Sequence, residues 1–187
     1  VMDRVLALAL PFDADGEVPV IVFHNQAFDG VTLTQANIED YVRREMSRMS
    51  WGGTEYAPAL QKVLDAYGNK KSSGFLGMGK RTVPVDRPTL VLFFTDGDND
   101  AVDKVRVEAI MKKLSENAIF IKFIGLDTSG RGSFPFLQKL DDMSGRKFDN
   151  ADFFAWRSTL TDPELFTALL NEVPGAIASM RKLGYLT

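Results

Sequence analysis

At 187 residues the chain is long enough to bury a full core as one domain, and its 45% hydrophobic and 25% charged residues are those of an ordinary globular protein. A net charge of −3 gives no electrostatic drive toward nucleic acid or an anionic membrane. The absence of cysteine excludes disulfides, thiol nucleophiles and cysteine-bound metals, no apolar stretch nears the roughly 20 residues of a membrane span, and no secretory signal is visible; the expected location is the cytoplasm.

In chain order, Val1–Leu10 is apolar on most faces and ends at Pro11, which reads as a buried helix. Val18–Phe23 is a short β-branched run and so a strand, with Gln26–Leu33 as its hairpin partner and Asp29-Gly30 as the turn. Thr34 is read as the N-cap of a helix that carries Ile38, Tyr41, Val42, Glu45 and Met49 in helical register. A second helix spans about Tyr56 to Tyr67 and stops at Gly68-Asn69. Asn69–Arg87 is rich in Gly, Ser and Lys and reads as a long exposed loop. The apolar strand Thr89–Thr95 follows, then a helix from Ala101 to Asn117 and a strand from Ala118 to Gly125. Phe134–Met143 reads as a short helix, Lys147–Asn150 as a short strand and Asp162–Leu183 as one long amphipathic helix. Strands alternating with helices imply βαβ crossovers. The expected fold is therefore α/β: a doubly wound, mostly parallel sheet with helices on both faces, in one domain over 1–187.

The most informative junction is the one where Leu90-Val91-Leu92-Phe93-Phe94 runs into Thr95-Asp96-Gly97-Asp98-Asn99-Asp100. It places hard oxygen ligands at the carboxyl edge of a sheet, where open α/β folds bind their ligands. An EF-hand loop is excluded, because Ala101 occupies the glycine position and Val107 that of the final glutamate. Gly74 and Gly79-Lys80 have the spacing of a phosphate loop, but Arg81 stands where Ser or Thr is required, so a flexible basic loop is the better reading. His24 is the only histidine and reads as structural, and Phe153, Phe154 and Trp156 read as packing residues. Asp98 to Asp100 also suit a helix cap, since carboxylates stabilise a helix N-terminus.

Gly52-Gly53-Thr54 opening a helix and Phe94-Thr95-Asp96-Gly97 closing a strand resemble the von Willebrand factor A domain. Together with Val1–Leu10, Tyr41-Val42-Arg43-Arg44-Glu45, Glu55-Tyr56-Ala57-Pro58 and Asp149-Asn150-Ala151-Asp152-Phe153-Phe154, they are similar to its bacterial TerF-like branch, which is associated with tellurium resistance and stress adaptation. The resemblance implies a metal-ion-dependent adhesion site. In the family a D-x-S-x-S turn after the first strand contributes ligands, and a threonine matching Thr54 and an aspartate matching Asp96 complete the set. Such oxygen donors suit Mg²⁺ or another divalent cation. The open coordination position takes a carboxylate from a protein partner, with other Ter-system proteins as the expected candidates. Gly53, Glu55, Asp98 and Asn99 are the residues expected to contact that partner.

The D-x-S-x-S turn occurs nowhere in this chain, which opens inside what the family makes its first helix. The first, central strand of the sheet is thus expected to be missing, and a sheet without it exposes unpaired backbone along two strands. The favoured expectation is a segment preceding Val1 that supplies both strand and turn; a decayed site is the alternative. On this reading the chain is a non-enzymatic interaction module. The alternative function is a metal-dependent hydrolase or phosphoryl-transfer domain using the same sheet edge, although no general base stands beside Asp96 in the sequence.

Overall fold

A computed structural model describes residues 4, 7, 10, 15–47, 53–72, 81–127, 133–157 and 159–187. Arg4 and Ala7 are helical and Leu10 is a buried 3₁₀ residue; the rest of the expected helix Val1–Leu10 lies outside the described residues. Arg4 Nε donates to the Asp162 carboxylate at 2.5 Å.

The expected strand Val18–Phe23 is two strands, β1 (Glu17–Val18) and β2 (Ile21–Phe23). Between them lies Pro19, whose missing N–H cannot support a continuous ladder. β2 folds back on β3 (Ala27–Asp29), with Ile21 opposite Asp29 and Phe23 opposite Ala27. The turn falls at His24-Asn25-Gln26 rather than at Asp29-Gly30, closed by the His24 N–H donating to Gln26 O at 2.9 Å. Gly30 instead crosses Val20 at close quarters, and a Cβ there would meet Val22 at 3.1 Å and Val20 at 3.2 Å. β4 (Leu33–Thr34) then pairs with β1.

Thr34 therefore ends a strand and caps no helix; its N–H donates to Asn37 Oδ1 at 2.8 Å. Helix α1 (Tyr41–Ser47) starts later, after Asp40 enters the left-handed region at φ 58°. Met49 lies outside the described residues. Helix α2 (Ala57–Tyr67) has the expected extent, and its last turn is closed by the Gly68 N–H donating to Leu64 O.

The segment Asn69–Arg87 is not simply an exposed loop. β5 (Lys71–Ser72) and β6 (Arg81–Thr82) pair antiparallel, while residues 73–80, with Gly74, Gly79 and Lys80, lie outside the described residues. Asn69 is buried. Its Oδ1 accepts from Ala118 N at 2.7 Å, and its Nδ2 donates to Val83 O at 2.9 Å and Tyr185 O at 2.8 Å. One amide thus ties the start of the loop, its far end, a strand entry and the C-terminus together.

The main sheet contains β7 (Thr89–Thr95), β8 (Ile119–Leu126) and β9 (Ala151–Trp156), parallel and in the order β7-β8-β9. The expected strand at Lys147–Asn150 is displaced: those residues lead into β9, and Phe153, Phe154 and Trp156 are strand residues. Alternate residues of β8 face opposite layers. Ile119, Ile121 and Phe123 pack with α2, with α3 (Ala101–Leu114) and with α4 (Pro135–Asp141). Phe120 packs with α6 (Val173–Lys182), and Ile124 with α5 (Asp162–Leu170). Helices thus cover both faces of a parallel sheet, as expected of an α/β fold.

The predicted single helix Asp162–Leu183 breaks at Asn171-Glu172. Pro174 has no N–H for the Leu170 carbonyl, and its ring would clash with that carbonyl in a continuous helix. β8 is buried along nearly its whole length, whereas the equally apolar β7 is mostly half-buried. Among the described residues β7 is an outer strand of its sheet.

Candidate functional site

Three segments meet at the carboxyl end of β7: the strand end Thr95-Asp96-Gly97, the turn Asp98-Asn99-Asp100 entering α3, and Gly53-Thr54-Glu55 entering α2. Asp103, buried in the first turn of α3, holds them together. Its carboxylate accepts from Tyr56 N at 2.7 Å and Ala57 N at 3.1 Å, two donors at the α2 N-terminus that no intrahelical carbonyl can satisfy. It also accepts from Asn99 Nδ2 at 2.6 Å. One carboxylate therefore joins both helix starts and the acidic turn.

Tyr56 adds a second tie. Its buried hydroxyl lies 3.1 Å from Thr95 Oγ1 and donates to the Gly97 carbonyl. Burial pushes the phenol up to about 12, the Thr95 hydrogen bond opposes the shift, and the acids Asp98, Asp103 and Asp96 reinforce it. The phenol remains protonated and able to donate at any ordinary pH.

Thr54 and Asp96 come to the same turn. A Cβ added to Gly97 would lie 3.7 Å from Thr54 Oγ1, so the threonine hydroxyl rests against the residue that follows Asp96. Asp96 is exposed and Thr54 half-buried. A hydroxyl and a carboxylate are hard donors of the type Mg²⁺ takes, but two fall well short of its octahedral set. The described residues fit the ion in kind and not in number.

The residues predicted to meet a partner divide. Gly53 is exposed; Gly52 lies outside the described residues. Glu55 donates its N–H to His24 O at 2.8 Å, and its carboxylate lies 3.7 Å from Arg106. Asp98 is exposed and bonded to Lys104 Nζ at 2.6 Å. Asn99 is 5% exposed, turned inward to Asp103, and its Oδ1 has no partner among the described residues. Asp100 caps α3, accepting from Asp103 N at 2.7 Å. The His24 imidazole is bonded to Asn25 and packs on Phe28, a structural role in its own hairpin.

A second polar cluster, which sequence reasoning missed, lies on the α5–α6 side of the sheet. Lys122, in mid-β8, is fully buried; its Nζ donates to the Asp152 carboxylate and, at 2.9 Å, to Asn171 Oδ1. Its ammonium lies 5.8 Å from the centre of the Phe154 ring. Burial lowers this lysine to about 8, against the opposing pull of Glu172 and Asp141. Asp141 is raised to about 6, first by burial and then by Glu172, Asp142 and Asp149, with a Phe153 backbone hydrogen bond acting the other way. Asp141, Asp152 and Glu172 bring carboxylate oxygens within 4.8 Å of one another. Lys122 already neutralises Asp152, one of these three acids, which makes the cluster a structural ion group. The one available signal was a lone lysine within Ile119-Phe120-Ile121-Lys122-Phe123-Ile124.

Residues 1–186 match the family model described as the von Willebrand factor A domain found in the TerF C terminus. The chain belongs to the TerF-like von Willebrand factor A family. It is also similar to a Bacillus subtilis (strain 168) protein, YcbR, described as uncharacterized: 28% identical over 190 residues, covering 98% of this chain and 70% of the relative. Thr54 and Asp96 stand where this TerF-like domain brings its helix start and its strand end to one edge. No described helix is long and apolar enough to cross a membrane.

Proposed function

We propose that the carboxyl edge of β7 is one half of a metal-assisted protein-docking site. Thr54 and Asp96 would hold Mg²⁺ or a similar divalent cation from one side, and a partner's carboxylate would take the open position. A hard cation bridging two oxygen-rich surfaces supplies charge neutralisation that neither carboxylate surface has alone. The observation that carries this reading is the placement of Thr54 Oγ1 against Gly97, the residue after exposed Asp96. The remaining ligands would come from a D-x-S-x-S turn on a strand laid along the outer edge of β7, whichever chain supplies it. The half-burial of β7's apolar run supports that placement. The biological setting proposed is a bacterial tellurium-resistance or stress-response assembly, with other Ter-system proteins as partners.

The test is a pull-down in Mg²⁺ and in EDTA, with Thr54→Ala and Asp96→Ala beside the parent chain. Loss of one specific partner in both variants and in EDTA is the expected result. Binding that ignores both substitutions and the chelator would sink the proposal. Unchanged binding with lost turnover would move the assignment to the hydrolase or phosphoryl-transfer class.

A further inference from the structure

Five acids surround the Thr54–Asp96 edge, and four of them are already satisfied. Asp103 accepts from three N–H donors and Asp100 from Asp103 N, both at helix starts whose dipole favours negative charge. The next two adjoin the proposed donors: Glu55 follows Thr54, and Asp98 follows Asp96 by two residues. Each is paired with a base from α3. Asp98 meets Lys104 Nζ at 2.6 Å, and the Glu55 carboxylate lies 3.7 Å from Arg106. Asp96 has neither a cation nor a hydrogen bond among the described residues.

Helix α3 gains little from these two bases itself. The N-terminal end of a helix dipole disfavours positive charge, and exposed pairs of this kind contribute little stability. Two residues apart, the bases project about 200° apart around the helix, so no shared face explains them. Lys104 reaches back to the turn before its own helix, with its ammonium 5.4 Å from the centre of the Phe136 ring. Arg106 reaches across to the segment entering α2. Their common feature is the destination: the acids that adjoin the two cation donors.

We propose that Lys104 and Arg106 are specificity-determining residues that fit this edge to an acidic partner segment; the inference rests on the docking site proposed above. A divalent cation brings two positive charges, and Asp96 with the aspartate of a D-x-S-x-S turn cancels both. Unpaired, Asp98 and Glu55 would leave the loaded edge with two negative charges in excess, which repel a partner's carboxylate. Paired, they leave it near neutral, and the open coordination position takes a carboxylate without that opposition. The bases therefore act on the cation and on the carboxylate with opposite signs, which a merely structural role does not do.

The test uses the whole chain joined to a strand ending in D-x-S-x-S. It is titrated with Mg²⁺ by calorimetry, then in saturating Mg²⁺ with the blocked peptides Gly-Gly-Glu-Gly-Gly and Gly-Gly-Gln-Gly-Gly by chemical-shift titration. The double variant Lys104→Gln/Arg106→Gln is expected to tighten Mg²⁺ and weaken the Glu peptide, each about three- to tenfold. The double variant Asp98→Asn/Glu55→Gln is expected to shift both affinities the other way by a similar factor. Both effects should shrink as salt is raised to about 1 M. Mg²⁺ and Glu-peptide binding that persist but ignore these variants, or that move in the same direction, would overturn the inference and leave the docking site standing. A joined chain that binds no Mg²⁺, or that takes the Glu and Gln peptides alike, would overturn the docking site and the inference with it.

Discussion

Replacing Asp103 with alanine removes three hydrogen bonds at once: to Tyr56 N, Ala57 N and Asn99 Nδ2, at 2.7, 3.1 and 2.6 Å. Hydrogen bonds to a charged group contribute about 1.5–3 kcal/mol each. These three share one acceptor, so their sum overstates the loss. Two backbone donors and a side-chain amide would be left without it in a buried site, and the expected cost is about 3–5 kcal/mol. With a urea m-value of about 2 kcal/mol/M, the unfolding midpoint falls by about 1.5–2.5 M. Asp103→Asn sharpens the test. One amide oxygen can still serve two of the donors, but its NH₂ then points at the third, so about 2–3 kcal/mol should be lost. Chemical denaturation followed by circular dichroism reads both variants. If either left the midpoint within about 0.3 M of the parent, Asp103 would not be the tie between the two helix starts.

Four further outcomes follow from the same structure. Lys122→Met leaves the Asp152 carboxylate buried without its cation and should cost about 3–5 kcal/mol, whereas Lys122→Met with Asp152→Leu should recover most of it; a double-mutant cycle by urea unfolding checks both. Asp141, raised to about 6, destabilises the fold when ionised, so parent stability should fall as pH rises from about 4 to about 6; Asp141→Asn, discounted for partial exposure, should gain about 1–2 kcal/mol at pH 7 and nothing below about pH 4. Asn69→Asp replaces the donors that face Val83 O and Tyr185 O and should cost about 2–4 kcal/mol in the same unfolding assay. Tyr56→Phe removes the hydroxyl from Thr95 and Gly97 and should cost about 1 kcal/mol, visible as a lower thermal midpoint.

The parts of this fold that could be read locally are those whose cause is local. β7 is an apolar run bounded by polar turns, β8 is one interrupted only by Lys122, and α2 ends where Gly68 ends its pattern. Asp96 was legible locally as a carboxylate closing an apolar strand, whereas its pairing with Thr54 came only from the resemblance to the family. The two-residue strands β1 and β4 were not legible, because their pairing depends on how Gly30 crosses Val20. The α5–α6 break was legible in principle from Pro174, but the amphipathic pattern on either side of it outweighed one residue. Asn69 reads as loop composition because its partners at Val83, Ala118 and Tyr185 are distant in sequence. Lys122 is the same case in the core: a single polar residue carries no periodicity, and Asp152 and Asn171 reach it only through the tertiary fold.

The central claim is that Thr54 and Asp96 are two donors of a cation site that others must complete. Calorimetric titration of Mg²⁺ tests it most directly, on residues 1–187 and on the same chain joined to a strand ending in D-x-S-x-S. The account predicts little or no heat from the first and saturable binding by the second, abolished by Thr54→Ala and by Asp96→Ala. Equal, tight binding by residues 1–187 alone, or binding indifferent to those two substitutions, would contradict it.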